Sequence, residues 1–169
     1  MASSPWPDQT RADRTGTGCI PRPLGEELVR LDPWMFWFAR PPKDSGFGAA
    51  VVVGVTGAFL IQANDATGYL KVGTASASVG DERIGGFLRA RRAARKLHYW
   101  FSGKNVFLDV EPVICLTRAT AAGPRRVRGV TICAREHLAT VLARGEQTVA
   151  PLHAKKAARA LGLSPDAGD

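Results

Sequence analysis

Cysteine is scarce, and its count is odd. The 169 residues hold three, Cys19, Cys115 and Cys133, with no C-x-x-C pair. A disulfide framework needs more, and a zinc site needs closer spacing. Cys115 lies in the apolar run Pro112–Leu116 and Cys133 follows Val130-Thr131-Ile132, so both read as small buried hydrophobes. Histidine is as sparse. His98, His137 and His153 stand apart, in neither H-x-x-x-H nor H-E-x-x-H spacing, which argues against a histidine-held metal. No G-x-S-x-G is present, and Gly16-Thr17-Gly18 is not followed by Lys-Ser, so neither a hydrolase elbow nor a Walker loop is expected. Long apolar runs are missing too. The longest, Ala49–Ile61, is broken by Gly54, Thr56 and Gly57 and falls short of the ~20 residues of a spanning helix. Met1–Pro23 lacks the apolar stretch of a signal peptide. These absences predict a cytoplasmic protein with no membrane association.

Positive charge is abundant. Lys and Arg number 23 against 15 Asp and Glu, a net charge of +8 and a pI of about 10.0. Such a surface favours polyanionic partners. The composition, 45% hydrophobic and 22% charged, is globular, and the length suits one domain.

Residues 1–22 read as a flexible tail, since Pro5, Pro7 and Pro21 obstruct a helix there. The expected domain covers 23–163, and 164–169 form a disordered C-terminal tail. Within the domain, 24–31 could start a helix, with Glu26 and Glu27 in its first turn. The aromatic cluster Trp34–Phe38 either covers the core or offers a base-stacking platform. Ala49–Val53 and Ala58–Gln62 flank the turn Gly54-Val55-Thr56-Gly57, the spacing of a β-hairpin covered on both faces. A short strand follows at Tyr69–Val72, then a loop at Thr74–Gly80. Helical spacing over 82–101 places Ile84, Phe87, Leu88, Ala94 and His98 on one face. The same run carries Arg83, Arg89, Arg91, Arg92, Arg95 and Lys96 against Glu82 alone. Pro112–Leu116 and Val130–Cys133 read as strands, with a basic loop Ala119–Arg128 between them. Helices are expected at Ala134–Ala143, with a core face of Leu138, Val141 and Leu142, and at Pro151–Leu161. The fold class that follows is α/β: a single domain with a central mixed β-sheet, hairpin strands and flanking helices.

The block Ala49–Asn64 resembles the centre of the nuclease-related domain (NERD) family, a branch of the PD-(D/E)xK nuclease-like superfamily. Gly25-Glu26 is similar to the family's upstream Gly-Glu helix. Arg89–Leu97, Val110–Leu116, Val127–Ile132 and Glu136–Leu142 are similar to its basic helix, its Val-x-Pro-Val-Leu-x-Leu strand, its next strand and its Leu-containing helix. The resemblance spans about residues 24–162 and implies a restriction-endonuclease-like core. In that family two carboxylates hold a divalent ion through oxygen ligands. The ion polarises the scissile phosphate and activates water, and a lysine stabilises developing charge.

This chain departs at those positions. Ala49 (Ala50 if the register slips by one) falls where the family has Asp, Gln62 where it has Asp or Glu, and Asn64 where it has Lys. Glu26 alone keeps the family's type. The expectation is therefore a catalytically degenerate domain with no cofactor. It would bind DNA or another nucleic acid without sequence preference through Arg89, Arg92, Lys96, Arg125, Arg126 and Arg128. One alternative is a Mg²⁺-dependent phosphodiesterase with a rearranged site of Glu26, Asp65 and Gln62, in which Asp65 with Glu26 or Glu27 forms a reserve metal site. Another is a protein-interaction or regulatory domain with no nucleic-acid role, which requires an exposed Trp34–Phe38 cluster.

Overall fold

Hydrophobic side chains on both parities of the central strands dictate a sheet buried on two sides, and that is the architecture of the computed structural model. The structure describes residues 20–42 and 48–166. The expected tail at 1–22 lies almost entirely outside the described residues, as do Cys19 and the last residues of the expected C-terminal tail.

Helix α1 spans Arg22–Leu28 and strand β1 Phe36–Ala39. The hairpin is β2 (Ala50–Gly54) and β3 (Gly57–Asn64). Strands β4 (Gly68–Val72), β5 (Ala77–Val79) and β6 (Glu82–Ile84) lead to helix α2 (Phe87–Gly103). Then come β7 (Val110–Leu116), β8 (Ala119–Thr120), β9 (Arg125–Val127) and β10 (Val130–Ala134). A 3-10 turn at Arg135–His137 enters α3 (Leu138–Ala143), and α4 covers Pro151–Ala160.

The main sheet has six strands in the order β1-β2-β3-β7-β10-β9. The first three form an antiparallel meander. β7 runs parallel to β3 and β10 parallel to β7, while β9 folds back antiparallel. Parallel neighbours need a long crossover, and α2 supplies it between β3 and β7. A second sheet, β6-β5-β4-β8, lies beside the first.

Alternation assigns the two faces. Phe38, Ala50, Val52, Ile61, Val113 and Cys133 pack under α1 and α3 through Leu24, Leu28, Leu138 and Leu142. Trp37, Val51, Val53 and Leu60 pack under α2 and α4 through Leu97, Phe101, Ala154 and Ala158. Each fully buried Leu contributes on the order of 1.5–3 kcal/mol. A third cluster joins the small sheet to α2 and the main sheet, through Leu70, Val79, Ile84, Phe87 and Ile132.

The mixed α/β architecture agrees with the sequence reading, with several local corrections. The first helix begins at Arg22, since Pro23 fits a first turn. Phe36–Phe38 are buried strand residues, while Trp34 and Met35 are exposed, so the aromatic segment is mainly core. The expected loop Thr74–Gly80 contains β5, and β6 occupies the predicted start of the basic helix. That helix starts at Phe87, after Gly86 at φ +84°. Only α2's first-turn Leu88 escapes the expected apolar face, at 57% exposure. The basic loop Ala119–Arg128 contains β8 and β9. In the helix after β10, Leu138 and Leu142 are buried as expected, and Val141 is partly so.

Candidate nucleic-acid interface

Basic side chains gather where α2 meets the small sheet. Apolar residues at 87, 90, 93, 94, 97 and 101 seat one side of α2 and turn its arginines outward. A groove of about 930 Å³ opens along its first half. Arg89, Arg92 and Lys96 line it from the helix, Arg83 from β6, and Arg128 from the β9–β10 turn. Among the described residues no carboxylate comes within ion-pair distance of Arg83, Arg92, Lys96 or Arg128. Asp81 and Glu82 sit in the neighbouring β5–β6 hairpin but do not line the groove. No acidic residue occupies the first turn of α2 and no side chain caps it, so the positive end of the helix dipole adds to the same field.

Arg128 reaches the groove because the turn that carries it is tight. Val127 pairs with Val130, which leaves Arg128 and Gly129 as a two-residue turn, at φ +52° and +80°. Two consecutive left-handed residues make the turn that matches strand twist. A Cβ added at Gly129 would lie 3.7 Å from Nε of Arg91, so the stem of Arg91 braces the turn against α2.

Four of the six predicted contacts, Arg89, Arg92, Lys96 and Arg128, thus share one groove. Arg125 and Arg126 do not. Arg126 donates to Glu111 at 3.0 Å and lines a separate groove with Phe107 and His153. Arg125 donates to the carbonyl of Pro124. Arg83 was legible as part of the basic run, but a helical reading gave it no wall of its own. It joins the site because 82–84 is a strand.

Ala49, Gln62 and Asn64 lie at the end of the β2–β3 hairpin away from its turn, and none of them carries a charge. Ala49 donates its N–H to Ile61, beside the Ala50–Ile61 pair, which places it next to Gln62. Ala49 offers no side-chain donor, and Gln62 is a neutral amide whose Nε2 is enclosed without a partner. The side-chain oxygen of Asn64 accepts from the N–H of Ala66, and its carbonyl accepts from Thr117, so it ends β3 and holds the turn that follows. Asp65 is exposed in that turn.

Glu26 is held by cations. Arg22 donates to it at 2.9 Å, and Nη2 of Arg135 at 2.5 Å. The same guanidinium donates Nε to the buried carboxylate of Glu27 at 3.0 Å, binding α1 to the end of β10. Chiefly through Arg22, with Arg135 adding and partial desolvation opposing, the Glu26 carboxyl lies below its usual range. The Glu27 carboxylate leads in raising Arg135. Among the described residues no three of His, Cys, Asp and Glu converge to hold a metal ion. A divalent ion therefore does not fit these residues.

Cys115, Cys133, His98 and His153 are tied into the scaffold. Cys115 and Cys133 sit side by side in register, both buried. The hydrogen bond that the neutral Cys133 thiol shares with Cys115, and then burial, push that thiol far up, so it is no nucleophile near neutrality. His98 Nδ1 lies 2.7 Å from the carbonyl of Leu108 and His153 Nε2 2.9 Å from that of Phe107.

Comparison with protein-family models, curated proteins and solved structures gives no match. Among the described residues no helix is long and apolar enough to cross a membrane.

Proposed function

We propose that this chain is a nuclease-related domain without hydrolytic activity that binds nucleic-acid backbone through the groove beside α2. One observation carries the reading: Arg83, Arg92, Lys96 and Arg128, drawn from three separate elements, converge on one groove, and among the described residues no carboxylate pairs with them. Cations held apart from acids in a concave site suit a chain of phosphates, and such contacts position a backbone without reading sequence. Support for the nuclease-related part comes from element order. The Gly25-Glu26 helix, the β2–β3 hairpin, basic α2, β7, β10 and α3 follow one another as the resemblance implies. Support for lost hydrolysis comes from Ala49, Gln62, the turn role of Asn64, and a Glu26 carboxylate occupied by two guanidiniums.

The test pairs a mobility shift at low salt with plasmid nicking in Mg²⁺ or Mn²⁺. The expected result is retarded DNA, weakened in Arg92→Ala/Lys96→Ala, and no nicking. Metal-dependent nicking abolished by Glu26→Ala and Asp65→Ala would establish the phosphodiesterase alternative. Folded protein that retards no DNA at micromolar concentration would end the binding reading.

A further inference from the structure

The outer face of α2 presents more than charge. With 3.6 residues per turn, Leu88, Arg92, Arg95 and Tyr99 fall within about 60° of one another, and the stripe is about 16 Å long. Its two ends are apolar groups left in water: Leu88 is 57% exposed and Tyr99 65%. Between them lie Arg92 and Arg95, and Lys96 connects the stripe to the groove, whose walls add Ile84 and Ala93. The Tyr99 ring is not adrift. It packs edge-on against His98, with centroids 5.5 Å apart and planes at 66°. His98 is itself anchored on the Leu108 carbonyl at 2.7 Å.

A surface of this kind suits a ligand that offers anions and flat apolar groups together. The outside of a duplex offers phosphates, with its bases already paired and stacked. An unpaired strand offers both, and base-on-aromatic stacking is tolerant of sequence because every base has a π face. We infer that the groove and the outer face of α2 hold single-stranded nucleic acid, with its backbone on Arg92 and Lys96 and a base stacked on Tyr99. This rests on the backbone-binding reading above and narrows it to one strand state.

Fluorescence anisotropy with labelled oligo(dT), and with a duplex of equal length, tests it at low salt. Wild-type protein should bind oligo(dT) more tightly than the duplex. Tyr99→Ala should weaken oligo(dT) binding by about fivefold or more, the low end of what one stacked base supplies. It should leave duplex binding unchanged, which also shows the variant folded, and Tyr99→Phe should restore affinity. Equal binding of both probes, with Tyr99→Ala silent on each and Arg92→Ala/Lys96→Ala lowering both, would overturn the single-strand inference and leave backbone binding standing. Binding of phosphatidylserine vesicles but of neither probe would overturn both.

Discussion

Salt offers the most quantitative handle on the groove. Four cations that line it, Arg83, Arg92, Lys96 and Arg128, have no carboxylate partner among the described residues. If each neutralises one phosphate of a single strand, the slope of log K against log salt is about −0.7 × 4, or about −2.8. Raising salt from about 50 to about 200 mM is a fourfold change, so affinity should fall by about 50-fold. Arg92→Ala/Lys96→Ala leaves two contacts, a slope of about −1.4 and a loss of only about sevenfold over the same range. The assay is anisotropy of labelled oligo(dT) titrated at four or more salt concentrations. Both side chains are exposed, so the variant should unfold at the wild-type urea midpoint. A double variant that binds more weakly but keeps the parental slope would refute the reasoning, because the lost affinity would then not come from phosphate contacts. A wild-type slope near zero would refute it more directly.

Two further outcomes concern the scaffold. A Cβ at Gly54 would lie 2.2 Å from Cδ1 of Phe36 and 2.8 Å from the carbonyl oxygen of Met35, so Gly54→Ala should cost about 1–3 kcal/mol as overpacking, read from urea denaturation. No loss would mean that β1 yields easily. Arg135→Gln should lower the urea midpoint at neutral pH. A carboxyl held low in the fold stabilises above its unfolded pKa and loses that contribution as pH falls through the lowered value. Because Arg135 helps hold Glu26 low, the variant's deficit should shrink on acidification below the ordinary carboxylate range, and an equal deficit at both pH values would exclude Glu26 as its source.

The hairpin was legible because Val51–Val53 and Ala58–Ile61 are apolar without interruption and Gly54 and Gly57 bracket the reversal. α2 was legible from its spacing, but its start was not. Residues 82–84 carry one inward side chain, Ile84, and periodicity cannot distinguish three residues of strand from the first turn of a helix. β5 was missed for the same reason, with Ala77 and Val79 its only inward residues. The difference matters at the site: a helical 82–84 leaves a basic helix face and a basic loop, and only the strand puts Arg83 on a wall of its own. Arg125 and Arg126 looked like Arg128 in sequence. What separates them is the two-residue turn, which turns Arg128 toward α2, while Arg126 pairs with Glu111 across the strand. Glu26 was legible as a retained acid, but its partner Arg135 lies more than 100 residues away in the chain, beyond any local pattern.

The long crossover also has a kinetic meaning. The β1–β2–β3 meander joins neighbours in sequence and can close quickly, whereas β3 pairs with β7 only after everything between Asn64 and Val110 has been brought back. Arg83, Arg89, Arg92 and Lys96 all lie in that excursion. The α2 and β6 walls of the groove are therefore set by the same slow ring closure as the centre of the sheet, and Arg128 joins them once β10 has paired with β7. A nascent chain that has made only its first hairpin has a core to build on and no place yet to hold a polyanion, so during refolding the ability to bind should appear no earlier than the burial of β3 against β7.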